Sequence, residues 1–300
     1  MIYHIIHETT YHYVHDVSIS HNVAHLCARD FSGQKRLNYK LTFSVPPAVL
    51  SEQIDYFGNP VTYFTVQEPH RTLKIRADNT VDVRLTPMPN PSQTPPWEQA
   101  RDQLRSAWDA PGVDAYQFTF DSPYIRAEEV LSNYARPSFH PGRPILEGVL
   151  DLTGRIHDEF QFDPTATTTA TALAEVLRLR RGVCQDFAHL QIGCLRSLGL
   201  AARYMSGYLE TDPPPGRARQ VGADASHAWL SVYCPGHGWV DVDPTNNIIP
   251  GDRHIVLAWG RDYDDVSPLK GVILGGGGHT LKVAVDVRAE HEPTDQSQSQ

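Results

Sequence analysis

RGVCQDFAHLQIGCLRSLGL, residues 181–200, is the stretch on which the reading of this chain turns. Arg181-Gly182-Val183 reads as a short loop that delivers Cys184 to the start of a helix. Beyond it, apolar residues recur at Phe187, Leu190, Cys194, Leu195 and Leu198, the three-and-four spacing of a buried helical stripe, and Gly199 supplies a stop. A cysteine at a helix N-terminus sits where unpaired N–H groups and the positive end of the macrodipole favour the thiolate, which is the nucleophilic form. Most free cysteines are small buried hydrophobes, so the position alone does not make Cys184 reactive.

Downstream, the sequence predicts strands at 201–209, 226–234 and 239–243, the last two joined by Pro235-Gly236-His237-Gly238. His227 opens one of these strands and Asp243 closes the next, where Pro244 ends it for want of an N–H. With Cys184 they supply a nucleophile, a base and an orienting acid in the order Cys, His, Asp. The imidazole must draw the thiol proton and later protonate the leaving amine, while the carboxylate fixes the ring's tautomer and angle. Strand side chains alternate faces, which tests the trio. A two-residue hairpin turn would pair Cys234 with Gly238 or Trp239, and the Trp239 register puts His227 and Asp243 on opposite faces. The trio therefore requires a departure from the symmetric hairpin, which the irregular Pro-Gly-His-Gly turn permits. Asp241 would share Asp243's face and is the rival orienter.

Upstream, residues 1–85 read as an all-β region, with runs rich in Ile, Val, Tyr, Phe and Thr at 2–13, 17–26, 37–45, 61–66 and 73–85 and a turn at 55–60. Residues 86–96, TPMPNPSQTPP, form a proline-rich connector that cannot hold a ladder. A third unit spans 97–290, with helices predicted at 97–108, 127–134, 145–160 and 173–179 ahead of the Cys184 helix and a closing strand at 281–287. Residues 291–300 read as a disordered polar tail, and the loop from Thr211 through the prolines at 213–215 as mobile.

GVCQDFAHL, ASHAWLSVYCPGHGWVDVDPTNN and GRDYDDVSPLKGV resemble the transglutaminase-like superfamily of papain-fold cysteine enzymes, in the bacterial group with a β-rich N-terminal region. The resemblance implies an α+β fold whose cysteine helix packs on an antiparallel sheet, with Cys184 as nucleophile, His227 as base and Asp243, rather than Asp241, as orienting acid. Asp186, in the first helical turn, reads as a capping residue, and Trp229 and Trp239 as packing beside the trio. Arg261, Asp262 and Tyr263 read equally as cleft residues or as a surface ion-paired loop. The Cys184 N–H is the expected oxyanion donor, with Gln161 a weak candidate for the second. Cys194 and Cys234 read as packing residues, Cys27 as a strand residue and Gly275–Gly278 as a turn without the phosphate-loop pattern.

The expected reaction is acyl transfer at an amide through a thioester. Water as the second nucleophile makes the protein a peptidase or amidase, and a lysine amine makes it a transglutaminase. Water needs no binding site of its own, so hydrolysis is the default, with a catalytically idle binding protein of the same fold as the remaining alternative. A net charge of -9 at pH 7 disfavours nucleic acid and anionic membranes as partners, and the substrate that the resemblance implies is a peptide or protein amide. The four cysteines show no metal spacing or disulfide framework, and the start MIYHIIHETT lacks a secretory pattern, so the expected location is cytoplasmic. The fifteen histidines, six of them between His4 and His25, fall in no metal-ligand pattern, and no cofactor or metal is expected.

Overall fold

Twenty-three residues in one strand set the layout of the N-terminal half. In the computed structural model, which describes residues 1–211 and 226–290, the fold is α+β. The expected mobile loop beyond Thr211 and the expected disordered tail from 291 lie outside the described residues. Five strands come first: β1 Ile2–Ala24, β2 Gln34–Phe43, β3 Val49–Ile54, β4 Pro60–Val66 and β5 His70–Val83, in sheet order β2-β5-β1-β4-β3. The runs 2–13 and 17–26 thus merge into one strand with an irregularity between His12 and Val17. β3 was not read from the sequence because its face is largely exposed and it shows no clean alternation.

Helices follow: α1 Trp97–Arg105, α2 Ala110–Tyr116, α3 Glu129–Ala135, α4 Ile145–Glu159, α5 Leu173–Leu179 and α6 Cys184–Ser197. Two-residue strands β6 Gln161–Phe162 and β7 Arg181–Gly182 pair in parallel and pin the loop that feeds α6. A second sheet is antiparallel throughout, in order β10-β9-β8-β11, from β8 Ala202–Leu209, β9 Ser226–Cys234, β10 Gly238–Val242 and β11 His254–Gly260. α7 Tyr263–Val266 leads to β12 Leu269–Gly275 and β13 His279–Ala289.

α6 departs from the expected single stripe: every residue from Asp186 to Arg196 is buried. α3, α4 and α5 cover one side, and Ala202, Tyr204, Ala228, Leu230 and Val232 of the second sheet cover the other. A helix enclosed on all sides must satisfy its polar side chains internally. Gln191 donates to Thr153 Oγ1 at 2.8 Å, and Arg196 reaches Phe118 O, Ala202 O, Ser122 Oγ and Arg261 O. Gly193 admits close packing, since a Cβ there would lie 2.8 Å from Leu173 and 2.9 Å from Leu131.

The expected boundary at 290 needs correction. β13 pairs with the first half of β1 and β12 with its second half, so the C-terminal strands complete the N-terminal sheet. The physical reason is the length of β1: β5 and β4 occupy one half each, and the opposite edges need partners of their own. Gly275, Gly276 and Gly277, at φ +93°, +81° and +65°, make the β12–β13 turn, and Gly276 exchanges backbone bonds with Asp16 and His15 at the irregularity in β1. Ending the chain at Ser267 is therefore expected to abolish cooperative unfolding of the N-terminal sheet. Circular dichroism melts of the shortened and full chains check this, and an unchanged melt would place β12 and β13 outside the folded unit.

Candidate active site

The loop entering α6 is built from glycine, an acid and a threonine. Asp186 accepts the Val183 N–H at 2.8 Å and the Thr167 hydroxyl at 2.6 Å, so it closes the helix start from the third helical position as expected of a capping acid. Burial pushes its carboxyl upward, opposed by those two bonds. A Cβ at Gly182 would sit 2.6 Å from that carboxylate, which is why glycine precedes Val183. Cys184 is the first residue of the helix and half-buried, whereas Cys27, Cys194 and Cys234 are buried. Its backbone N–H has no acceptor within the helix. Cys27 lies just past the end of β1 rather than within it.

His227 and Asp243 come together through the register of β9 and β10. Cys234 pairs with Gly238 and Val242 with Leu230, around a three-residue connection. Pro235 and Gly236, the latter at φ +82°, form a type II turn closed by His237 N–H on Cys234 O at 2.9 Å. The connection has three residues rather than two, and its register is the Cys234–Gly238 pairing, which of the two considered is the one that puts residues 227, 229, 241 and 243 on one face. His227 Nε2 and Asp243 Oδ2 are 2.7 Å apart. Nδ1 is then the ring nitrogen left for the thiol. Asp241 takes a different partner, the Trp229 indole N–H at 3.0 Å, and Trp229 stacks on His227 with 25° between the rings.

Asp243 is fully buried and collects more donors than the sequence suggested. Asn246 Nδ2 donates to its Oδ2 at 2.8 Å, and His254 Nε2 lies 3.3 Å from the same oxygen. The N–H groups of Thr245 and Asn246 point at Oδ1, at 2.9 and 3.3 Å. Burial favours the neutral acid, but hydrogen bonds from His227 and His254, the charge of His227 and the bond from Asn246 outweigh it and hold Asp243 well below the carboxylate range. Burial likewise opposes charge on His227. The hydrogen bonds and charges of Asp243 and Cys184 overcome it and push the imidazole up to about 10.

His254 and Asn246 were missed in the sequence. The Asn246-Asn247 doublet after Pro244, with Asn247 at φ +50°, is a turn signature that would have brought Asn246 beside Asp243. His254 opens an apolar strand and carries no such signal. His227, Asp243 and His254 are the one group of three possible metal ligands found among the described residues, their ligand atoms within 4.8 Å of one another. These same atoms already form the hydrogen-bonded set, and an ion there would have to displace His227 from Asp243.

The remaining expected site residues lie elsewhere. Gln161 is exposed in β6, and no described hydrogen bond joins its side chain to the trio. Asp262 caps α7 and accepts the Tyr124 N–H, Arg261 pairs with Asp265, and the Tyr263 N–H donates to His189 Nε2 at 3.1 Å. They brace the flank of α6, and the partly exposed Arg261–Asp265 ion pair agrees with the ion-paired-loop alternative.

Comparison with known proteins gives a consistent result. Residues 3–82 match the bacterial transglutaminase-like N-terminal region and residues 132–244 the transglutaminase-like superfamily. An uncharacterized Mycobacterium tuberculosis protein is 43% identical over 293 residues, 95% of this chain and 92% of its own length. A Pseudomonas aeruginosa protein-glutamine gamma-glutamyltransferase is 31% identical over 125 residues, 41% of this chain but 18% of that protein. In fold, a Cytophaga hutchinsonii protein provisionally described as a cysteine protease aligns over 100% of this chain and 92% of its own, at TM-score 0.75 and 22% identity.

The linkage follows from the two directions. Asp243's contribution to stability is present above the ordinary carboxylate range and lost as pH falls through its depressed folded value. That of His227, complete below its ordinary value of about 6.5, is lost as pH rises through about 10. Asp243→Asn removes the charge and retains the shape. It is expected to bring the loss of the His227 ring proton down by ~1 pH unit or more, measured by NMR titration of the histidine rings. Gly182→Ala, by displacing Asp186, is expected to slow alkylation of Cys184 by iodoacetamide while lowering the melting temperature by only a few degrees, the scale of about 1 kcal/mol.

Proposed function

This chain belongs to the transglutaminase-like superfamily, and from that premise we propose that it is a thiol acyl-transfer enzyme acting on amide bonds through Cys184. The observation that carries the reading is the 2.7 Å contact between His227 and a fully buried Asp243, beside a half-buried cysteine at a helix start.

In the proposed reaction His227 holds the thiol proton and Cys184 Sγ attacks the amide carbonyl carbon. The negative oxygen of the tetrahedral adduct faces the Cys184 N–H at the positive end of α6. Collapse breaks the C–N bond, and His227 gives its proton to the departing amine, leaving a thioester. Water then attacks the thioester with His227 as base. Collapse breaks the C–S bond and releases the carboxylic acid and the Cys184 thiolate, and the proton that the ring took from water restores the starting ion pair. Asp243 keeps the imidazole in one tautomer throughout, as the third member of such triads does.

Hydrolysis is the primary reading and the peptide or protein amide the primary substrate. Amine transfer is the second reading, favoured by the local similarity to the Pseudomonas glutamyltransferase. Iodoacetamide at neutral pH is expected to label Cys184 ahead of the buried Cys27, Cys194 and Cys234, with the rate falling roughly tenfold or more in His227→Ala. Equal rates in the two proteins would favour an idle scaffold. A glutamine peptide with a fluorescent amine separates the enzymes: ammonia release without fluorophore incorporation excludes cross-linking, and incorporation excludes simple hydrolysis as the sole outcome.

A further inference from the structure

We propose that the face of the second sheet turned away from α6, beside His227 and Asp243, carries a small-molecule site that takes a free α-amino acid, its carboxylate held by Arg203. A cavity of about 570 Å³ lies between that face and the proline-rich connector, where Pro87 and Met88 form part of its wall. The volume suits a small organic molecule. Cys184, His227 and Asp243 are not among its lining residues, although Trp229 and His254 are.

Two arginines of this chain are buried near α6 and the second sheet, and they are satisfied very differently. Arg196 makes five hydrogen bonds, to Phe118 O, Ala202 O (twice), Ser122 Oγ and Arg261 O. Arg203, only 7% exposed, makes none among the described residues, and its Nε is buried without a partner. Its guanidinium carbon packs over the rings of Trp239 and Trp259 at 4.2 and 3.9 Å. The aromatic rings engage its plane, and Nε on its hydrogen-bonding edge is left without a partner. An unpaired buried guanidinium is costly, and a planar carboxylate is the partner that its fork matches.

The walls carry the opposite sign as well. Asp241 and Asp114 line the same cavity, and both charges act on Arg203 without a hydrogen bond to it. Asp241 spends one oxygen on the Trp229 indole. His254, 5% exposed, also presents an unpartnered Nδ1. A bare organic anion would be drawn to Arg203 and repelled by two carboxylates, and a bare amine would meet the reverse. A zwitterion satisfies both sets. Met205, Val256 and the indole edges supply an apolar wall for its side chain.

Three of the five tryptophans line the cavity, so intrinsic fluorescence reports on it directly. The full chain is titrated with phenylalanine, N-acetylphenylalanine and phenethylamine. Phenylalanine is expected to give a saturable change, with the two singly charged analogues about tenfold or more weaker. Arg203→Met is expected to weaken phenylalanine by about tenfold or more, the scale of one charged hydrogen-bond set. Asp114 is exposed, so Asp114→Asn leaves the fold intact and is expected to narrow the gap between phenylalanine and N-acetylphenylalanine. No saturable change, equal binding of all three compounds, or unaltered phenylalanine binding in Arg203→Met overturns the proposal. Should that variant fail to fold, unaltered selectivity in Asp114→Asn overturns it instead. The readout is binding without turnover, so failure here leaves acyl transfer at Cys184 standing.

Discussion

One buried carboxylate oxygen, Asp243 Oδ2, is shared by His227, Asn246 and His254, and the arrangement around Cys184 depends on it. Leaving a charge of this kind unpaired in a protein interior costs several kcal/mol, on the order of 3–5 when one partner of a pair is removed. The backbone N–H groups of Thr245 and Asn246 supply the other oxygen, so Asp243 stays ionised despite having no solvent contact. His227 is thereby fixed in angle and charge, and Trp229 backs its ring from the same strand face. Asp241 is occupied in holding that indole. The two acids of the VDVD segment thus divide their work, one orienting the imidazole and the other the tryptophan behind it.

The N-terminal sheet acts on this arrangement through β11, the strand that carries His254. Gln34 bonds the Val256 N–H and carbonyl, and Asn59 does the same for Trp259, on either side of a register irregularity in β11. Each side-chain amide there imitates a strand neighbour along this backbone edge, where the Arg29 N–H also reaches Val256 O. Arg29 stacks over Trp259 at 3.4 Å while bonding Phe57 O and Asn59 Oδ1. Tyr3, Ile5, Val81 and Val285 pack on Tyr208, Ile255 and Leu257, so the two sheets share an apolar contact. The β-rich region therefore supports the position of His254, and through it Asp243. The connector that follows it walls the cavity beside Arg203.

Much of this was legible before any coordinates. Cys184 could be read because helix starts announce themselves by loop glycine and apolar spacing. The choice of Asp243 over Asp241 rested on motif resemblance; in the structure Asp243 lies 2.7 Å from His227 Nε2, while Asp241 accepts the Trp229 indole N–H. What escaped reading has common physical causes. α6 buries His189, Gln191 and Arg196 as fully as its leucines, and periodicity does not reveal a helix covered on every side. β11 is short and continuously apolar, a pattern that periodicity cannot assign. β12 and β13 could be seen as strands at best, since nothing local names β1 as their partner. His254 is a lone histidine whose meaning exists only after β11 is placed beside β8.

The most direct measurement is the titration of the His227 ring itself, followed by ¹⁵N NMR of histidine-labelled protein with His227→Gln to assign the resonance. If buried Asp243 governs the site, the ring remains imidazolium through neutral pH and loses its proton only near 10. A midpoint near that of a free histidine, about 6.5, would mean that the carboxylate does not control the imidazole, and the proposed role of Asp243 would fail with it.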